Sequence, residues 1–109
     1  MNWDKEVDML VVGSGAGALL SALVAAERTA DVLIVEKEPL WGGTSATSGA
    51  GIWIPASDQA AAEGFHDKVE DAFRYVRKLS AKNVPDANIL AYVSTAADML
   101  RWMGNHTDI

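Results

Sequence analysis

Asp8-Met-Leu-Val-Val-Gly-Ser-Gly-Ala-Gly-Ala18 decides the fold. Met9 to Val12 is a short apolar run, the pattern of a strand buried in a parallel sheet. It breaks into Gly13, Gly15 and Gly17, and Leu19-Leu20-Ser-Ala-Leu23-Val24 then continues as a helix. A strand that ends in glycines and restarts as a helix brings bare backbone N–H groups to a helix N-terminus. Unpaired donors and the positive end of the helix dipole then point the same way, which suits a phosphate. Gly13 allows the tight turn, and Gly15 removes a side chain where a pyrophosphate would approach. The third motif position is Ala18, and the dinucleotide-binding pattern accepts alanine there.

Outward from this turn, the spacing predicts a helix over Ala16 to Glu27, rich in alanine and leucine, both strong helix formers. Arg28 to Asp31 reads as a short loop without the glycine expected at such a position. Val32-Leu-Ile-Val35 is a second apolar strand, and Glu36 follows it. Strand, helix and strand make one βαβ unit of about 30 residues, with a right-handed crossover. Glu36 stands at the sheet edge where ligands of parallel sheets sit, about 20 residues beyond the glycines, where an acidic side chain meets an adenosine ribose. A lone glutamate at a strand end is ordinarily just solvated. Joined to a glycine turn at this spacing, the ribose is the better reading, and the carboxylate would repel the 2′-phosphate of NADP.

Next comes Lys37-Glu-Pro-Leu-Trp-Gly-Gly-Thr-Ser-Ala-Thr-Ser-Gly-Ala-Gly-Ile-Trp-Ile-Pro55. Pro39 stops the strand, Gly42-Gly43 makes a second flexible turn, and Thr44 and Ser45 offer N-cap hydroxyls for a short helix. The plain reading is a glycine-rich loop with a capped helical turn. The sharper one is a second cradle for the ribityl and flavin end of a long dinucleotide. A nicotinamide enzyme has no need of such a segment here, so the loop favours FAD over NAD.

VVGSGAGALLSALVAAE, VLIVEK and GGTSATSGAGIWIP together resemble the N-terminal FAD-binding part of the fumarate reductase/succinate dehydrogenase flavoprotein superfamily. Within it, G-S-G-x-G-A-L and G-G-T-S-A-x-S-G-A-x-I-W-x-P are most similar to the 3-ketosteroid dehydrogenases; fumarate reductases usually carry an asparagine after the paired glycines. The likeness covers Asp8 to Pro55. Thr29-Ala30-Asp31 replaces a glycine turn, a departure that touches no chemistry. The resemblance implies an α/β fold: the Rossmann-like βαβ start of a glutathione-reductase-type flavoprotein fold, followed by helices and incomplete. It implies that Gly13, Ser14, Gly15, Ala16 and Gly17 line the pyrophosphate. Glu36 and Lys37 would face the adenosine ribose, and Gly43, Thr44, Ser45, Ser48, Gly49 and Gly51 would approach the ribityl chain and flavin. It also implies FAD as cofactor, a steroid-like ketone as substrate, and hydride transfer to the flavin N5 while a tyrosine takes the adjacent proton. A tyrosine hydroxyl and a backbone N–H polarise the ketone in that family. None of those proton-handling residues can be placed on this chain. The expectation is therefore the N-terminal piece of a longer flavoprotein, which alone binds FAD weakly and catalyses nothing.

The sequence divides into an FAD-binding βαβ unit with its double-glycine loop over 1–55 and a helical segment of the same domain over 56–109. Ala56 to Gly64 reads as a connector, and Asp67 to Ser80 as an amphipathic helix with Val69, Phe73, Val76 and Leu79 on one stripe. Ala87 to Met103 reads as a further helix carrying Leu90, Val93, Ala97 and Leu100, with Asp86 as N-cap and Gly104-Asn105 as its end. His66 and His106 have no metal-ligand or triad spacing around them. Tyr75 and Tyr92 fit packing at helical spacing, and Trp41 and Trp53, which flank the glycine loop, fit packing better than flavin shielding.

The 109 residues suffice for one small domain, and 50% hydrophobic with 22% charged residues is a globular composition. The net charge of −6 is spread among mixed acids and bases with no basic patch, so nucleic acid is not an expected partner. The absence of cysteine excludes disulfides, thiolate metal sites and redox thiols. No leader or membrane span is read from the chain, and a cytoplasmic location is expected. Three other readings stay open: an oxidoreductase of the same superfamily with another substrate, an NAD-binding module, and a non-catalytic remnant.

Overall fold

The computed structural model describes residues 2–108. It comprises two compact units, Met1–Gly51 and Ile52–Ile109.

The first unit is built on β1 (Met9–Val12), α1 (Ala16–Glu27) and β2 (Val32–Val35), followed by a 3-10 helix at Gly43–Thr47. β1 and β2 run parallel, pairing Met9 with Val32 through Val12 with Val35. The chain fastens this short ladder at both ends. Asp8 and Met9 donate their N–H groups to the Asp31 carbonyl at 3.0 and 3.1 Å, and the Asp31 N–H donates to the Asp8 carboxylate at 2.8 Å. At the other end the Gly13 N–H donates to the Val35 carbonyl at 2.7 Å, which places Gly13 beside the end of β2. α1 packs on one face of the pair, where Val11 and Ala22 are buried.

The opposite face is open: Leu10 is 55% exposed, Val12 77% and Val35 41%. The apolar runs predict buried strands in parallel pairing; the pairing is parallel, but only Val11 of β1 is buried. The reason is physical. A parallel sheet hides its side chains only when both faces are covered, and this unit supplies a single helix. α1 ends through Thr29, at φ 63°, with Thr29 N–H bonded to the Ala26 carbonyl and Ala30 N–H to the Ala25 carbonyl. Thr29 thus takes the left-handed position that glycine usually fills at a helix end.

The second unit holds α2 (Asp58–Ala62), α3 (Val69–Leu79) and α4 (Asp86–His106). α3 and α4 pack together, burying Ala72, Ile89, Val93 and Ala96. Several sequence expectations are corrected here. The connector contains α2, because the Ser57 hydroxyl accepts the Ala60 N–H at 3.2 Å and caps it. Asp86 lies inside α4 behind Pro85, and its carboxylate pairs with Arg77 at 2.9 Å instead of capping the helix. Gly104 and Asn105 are helical, and α4 runs on to His106. The buried stripe of α4 is Ile89, Val93 and Ala96, whereas Leu90 is 52% exposed and Leu79 of α3 68% exposed. Arg77 fastens the α3–α4 connection, donating to the Val84 and Ala81 carbonyls at 2.6 Å each. Both acceptors lie in the loop beyond α3, so the guanidinium at the helix end holds that loop by its backbone. Tyr75 and Tyr92 pack on Trp53, with ring centroids 5.5 and 6.3 Å away, and the Tyr92 hydroxyl donates to the Trp53 carbonyl at 2.5 Å. His106 stacks on Trp102 one helical turn earlier. Among the described residues no helix is long and apolar enough to cross a membrane.

Candidate cofactor site

At the C-terminal ends of β1 and β2 the first unit carries a cleft of about 560 Å³. Val12, Gly13, Ser14 and Gly15 form one wall, Val35 to Glu38 another, and Gly43 closes the third side. Topology explains the convergence: two parallel strands end side by side, and the turn leaving one faces the residues leaving the other.

Gly13 adopts φ +96°, the turn geometry expected of it. Gly15 is the N-cap of α1 and has no side-chain cap of its own. Gly43, at φ +51°, lies against it, and a Cβ on Gly43 would stand in van der Waals contact with the Gly15 Cα at 3.7 Å. The two glycine segments therefore meet backbone to backbone, and a side chain on either would fill the space between them. Ala16 and Gly17 form the first residues of α1 beside the cleft.

Two hydroxyls depart from expectation. Thr44 and Ser45 do not cap the short helix, whose N-cap is Gly42 without a side-chain bond. Instead the Ser45 Oγ accepts the Ala16 N–H at 3.1 Å, so the loop reaches back to the N-terminus of α1. Ser14 is 1% exposed, and its hydroxyl is turned onto Glu36, to whose Oε2 it donates. The same Ser14 Oγ accepts the Gly42 N–H at 2.9 Å.

Glu36 also accepts the Glu38 N–H on Oε1 at 3.0 Å. The Ser14 hydroxyl first, and the Glu38 N–H after it, hold the Glu36 carboxyl below the usual glutamate value of 4.5, so it is ionised near neutrality. Lys37 pairs with Glu38 at 3.4 Å on the rim, both side chains well exposed. Thr44, Ser48, Gly49 and Gly51 are exposed and lie outside the cleft lining. The Ser48 hydroxyl accepts the Ala50 N–H, a local turn. Gly42, expected only as part of a flexible turn, takes φ +102° and places the loop against Ser14. The paired glycines were the available signal. No group of three or more potential metal ligands gathers among the described residues.

A helix N-terminus without a side-chain cap at its N-cap, a wall free of side chains and a charged carboxylate one strand away form a donor set for a dinucleotide. Residues 8–107 match the FAD-binding domain family, and the chain belongs to it. FAD is the cofactor of that family, and the glycine walls and Glu36 fit it. Among its relatives, the chain is 43% identical over 100 residues to the 3-oxosteroid 1-dehydrogenase of Comamonas testosteroni, covering 92% of this chain and 18% of that protein. It is 42% identical over 96 residues to the 4-oxocyclohexanecarboxylate 2-dehydrogenase of Sinomonas cyclohexanicum, covering 88% of this chain and 17% of that one. Among solved structures, a flavocytochrome c3 fumarate reductase in an open conformation superimposes with a TM-score of 0.84 at 27% identity, over 94% of this chain and 18% of that one. The chain thus spans about one-fifth or less of the length of each.

Proposed function

We propose that this chain is the FAD-binding start of a flavin-dependent dehydrogenase that oxidises a CH–CH bond beside a ring ketone, in the manner of a 3-oxosteroid 1-dehydrogenase. The βαβ segment is the Rossmann-like opening of a glutathione-reductase-type flavoprotein fold, and residues 56–109 continue the same domain. The observation that carries the reading is the meeting of Gly13–Gly15, Gly43 and Glu36 around one cleft at the strand ends.

In this reading Gly13 to Gly17 hold the pyrophosphate with backbone N–H groups, Glu36 accepts from the adenosine ribose, and Lys37 borders it. Gly43, Thr44, Ser45, Ser48, Gly49 and Gly51 lie toward the ribityl chain and flavin. The bound flavin supplies hydride acceptance, while this chain's residues supply binding and orientation. The substrate is a small cyclic ketone, and the cytoplasmic placement belongs to the same reading.

One observation keeps a second substrate beside the steroid. Identity to a dehydrogenase named for a simple oxocyclohexane acid is within one percentage point of identity to the steroid enzyme. Binding the same cofactor constrains this segment equally in both, so its sequence follows the flavin and not the ring system. The first test is titration of the purified protein with FAD and with NAD. FAD is expected to give a visible difference spectrum and raise the melting temperature, and NAD to do neither. A gain with NAD alone would overturn the reading. The protein carrying this segment should then be assayed on a 3-oxosteroid and on an oxocyclohexane carboxylate.

A further inference from the structure

We propose that Ser14 is a positioning residue for the cofactor: its buried hydroxyl aims the Glu36 carboxylate and ties it to the start of the double-glycine loop at Gly42. The inference rests on the FAD reading above and adds to it a device that joins the two cradles.

The geometry is specific. Ser14 follows β1, Glu36 follows β2, and Gly42 opens the loop, so one hydroxyl bridges three segments separated by 22 and 28 positions from Ser14. At 1% exposure water has no access to replace either bond. Donation to Glu36 uses the single hydroxyl proton, and acceptance from Gly42 uses one of its two lone pairs. On the carboxylate, Ser14 takes Oε2 and the Glu38 N–H takes Oε1. Each oxygen keeps a further lone pair, enough to accept two ribose hydroxyls without giving up the existing partners. An alanine at position 14 would take away the Gly42 N–H's partner and leave Glu36 held by the Glu38 N–H alone.

The charge environment of Glu36 is simple. Lys37 and Glu38, from its own segment, are the charged side chains lining the cleft; the β1–α1 turn and Gly43 contribute none. Removing the Ser14 hydroxyl therefore takes away the main influence that keeps Glu36 ionised as pH falls. A merely structural role for Ser14 would not produce a pH-dependent loss of cofactor.

The test is FAD titration of the wild type, Ser14→Ala, Glu36→Gln and the double variant between about pH 4 and 8, a window that includes the ordinary glutamate range. Ser14→Ala is expected to weaken FAD about tenfold at neutral pH, the scale of losing a hydrogen bond to a charged group. As the pH falls, its affinity should begin to drop at a higher pH than that of the wild type, because its Glu36 carboxylate is protonated sooner. Because Ser14 acts in large part through Glu36, adding Ser14→Ala to Glu36→Gln should cost clearly less than the tenfold it costs alone, the remainder being the tie to Gly42. Wild-type affinity in Ser14→Ala, or a full additional loss in the double variant, overturns the proposal while the FAD reading stands. Failure of the wild type to bind FAD overturns both. Should Ser14→Ala not fold, carboxyl-carbon NMR of the wild type decides: Glu36 must titrate below an ordinary glutamate, and an ordinary or higher value overturns the proposal.

Discussion

Gly42 and Ala46 are in such close contact that a Cβ built on Gly42 would lie 2.6 Å from the Ala46 Cβ. Gly42 also sits at φ +102°, which L side chains rarely adopt. Gly42→Ala therefore meets both a backbone and a packing penalty, together about 2–4 kcal/mol. Gly49, with open space around it and an ordinary φ, is the control: Gly49→Ala should change stability by less than about 0.5 kcal/mol. Urea unfolding of the two variants checks the contrast.

Thr29 ends α1 at φ 63°, a conformation unfavourable for a β-branched residue. Glycine there relieves about 1–2 kcal/mol of strain but makes the unfolded chain more flexible. The expected net effect of Thr29→Gly is a gain of about 0.5–1 kcal/mol. Thermal unfolding measures it, and a lower melting temperature would contradict the geometry.

Arg101 grips Asp58 with two bonds, from Nε at 2.6 Å and Nη2 at 3.0 Å, anchoring the five-residue α2 to α4. Hydrogen bonding and charge from Arg101 lower the Asp58 carboxyl from its usual 3.8. A lowered carboxyl stabilises the folded state above its unfolded value, and that stabilisation is lost as pH falls through the folded value. Asp58→Asn should thus be slightly less stable than wild type at neutral pH, with the difference vanishing in acid and shrinking in high salt. Hydrogen exchange should show α2 opening first, because the pair is exposed and the helix is short.

Ser45→Ala should destabilise the ligand-free protein by about 1 kcal/mol, since it removes the hydroxyl that accepts the Ala16 N–H at the start of α1. Far-ultraviolet circular dichroism during unfolding reports it. An unchanged midpoint would mean that this contact contributes nothing.

Much of the first unit was legible in the chain. Met9–Val12, Ala16–Glu27 and Val32–Val35 stand within the limits that periodicity and the glycines predict. Such elements are set by neighbours along the chain: apolar runs, strong helix formers and a turn only glycine makes easily. The helical unit was harder. The face of α4 that is buried depends on what α3 offers it, so Ile89 turned inward and Leu90 did not. A five-residue helix such as α2 carries too little pattern to stand out from a connector, and Ser57 becomes legible as a cap only once the helix is seen.

By itself, the sequence determined the strand–turn–helix–strand order, the bare-backbone turn at Gly13–Gly15 and the placing of Glu36 one strand further on. Those follow from local sterics and from the fixed length of a crossover. Only the tertiary structure decided where the hydroxyls go: Ser14 to Glu36 and Gly42, and Ser45 to Ala16 at the start of α1 instead of to the start of its own short helix. A hydroxyl can bond to any donor or acceptor within reach, and what lies within reach of residue 14 is settled by how the strands pair, not by what stands beside it in the chain.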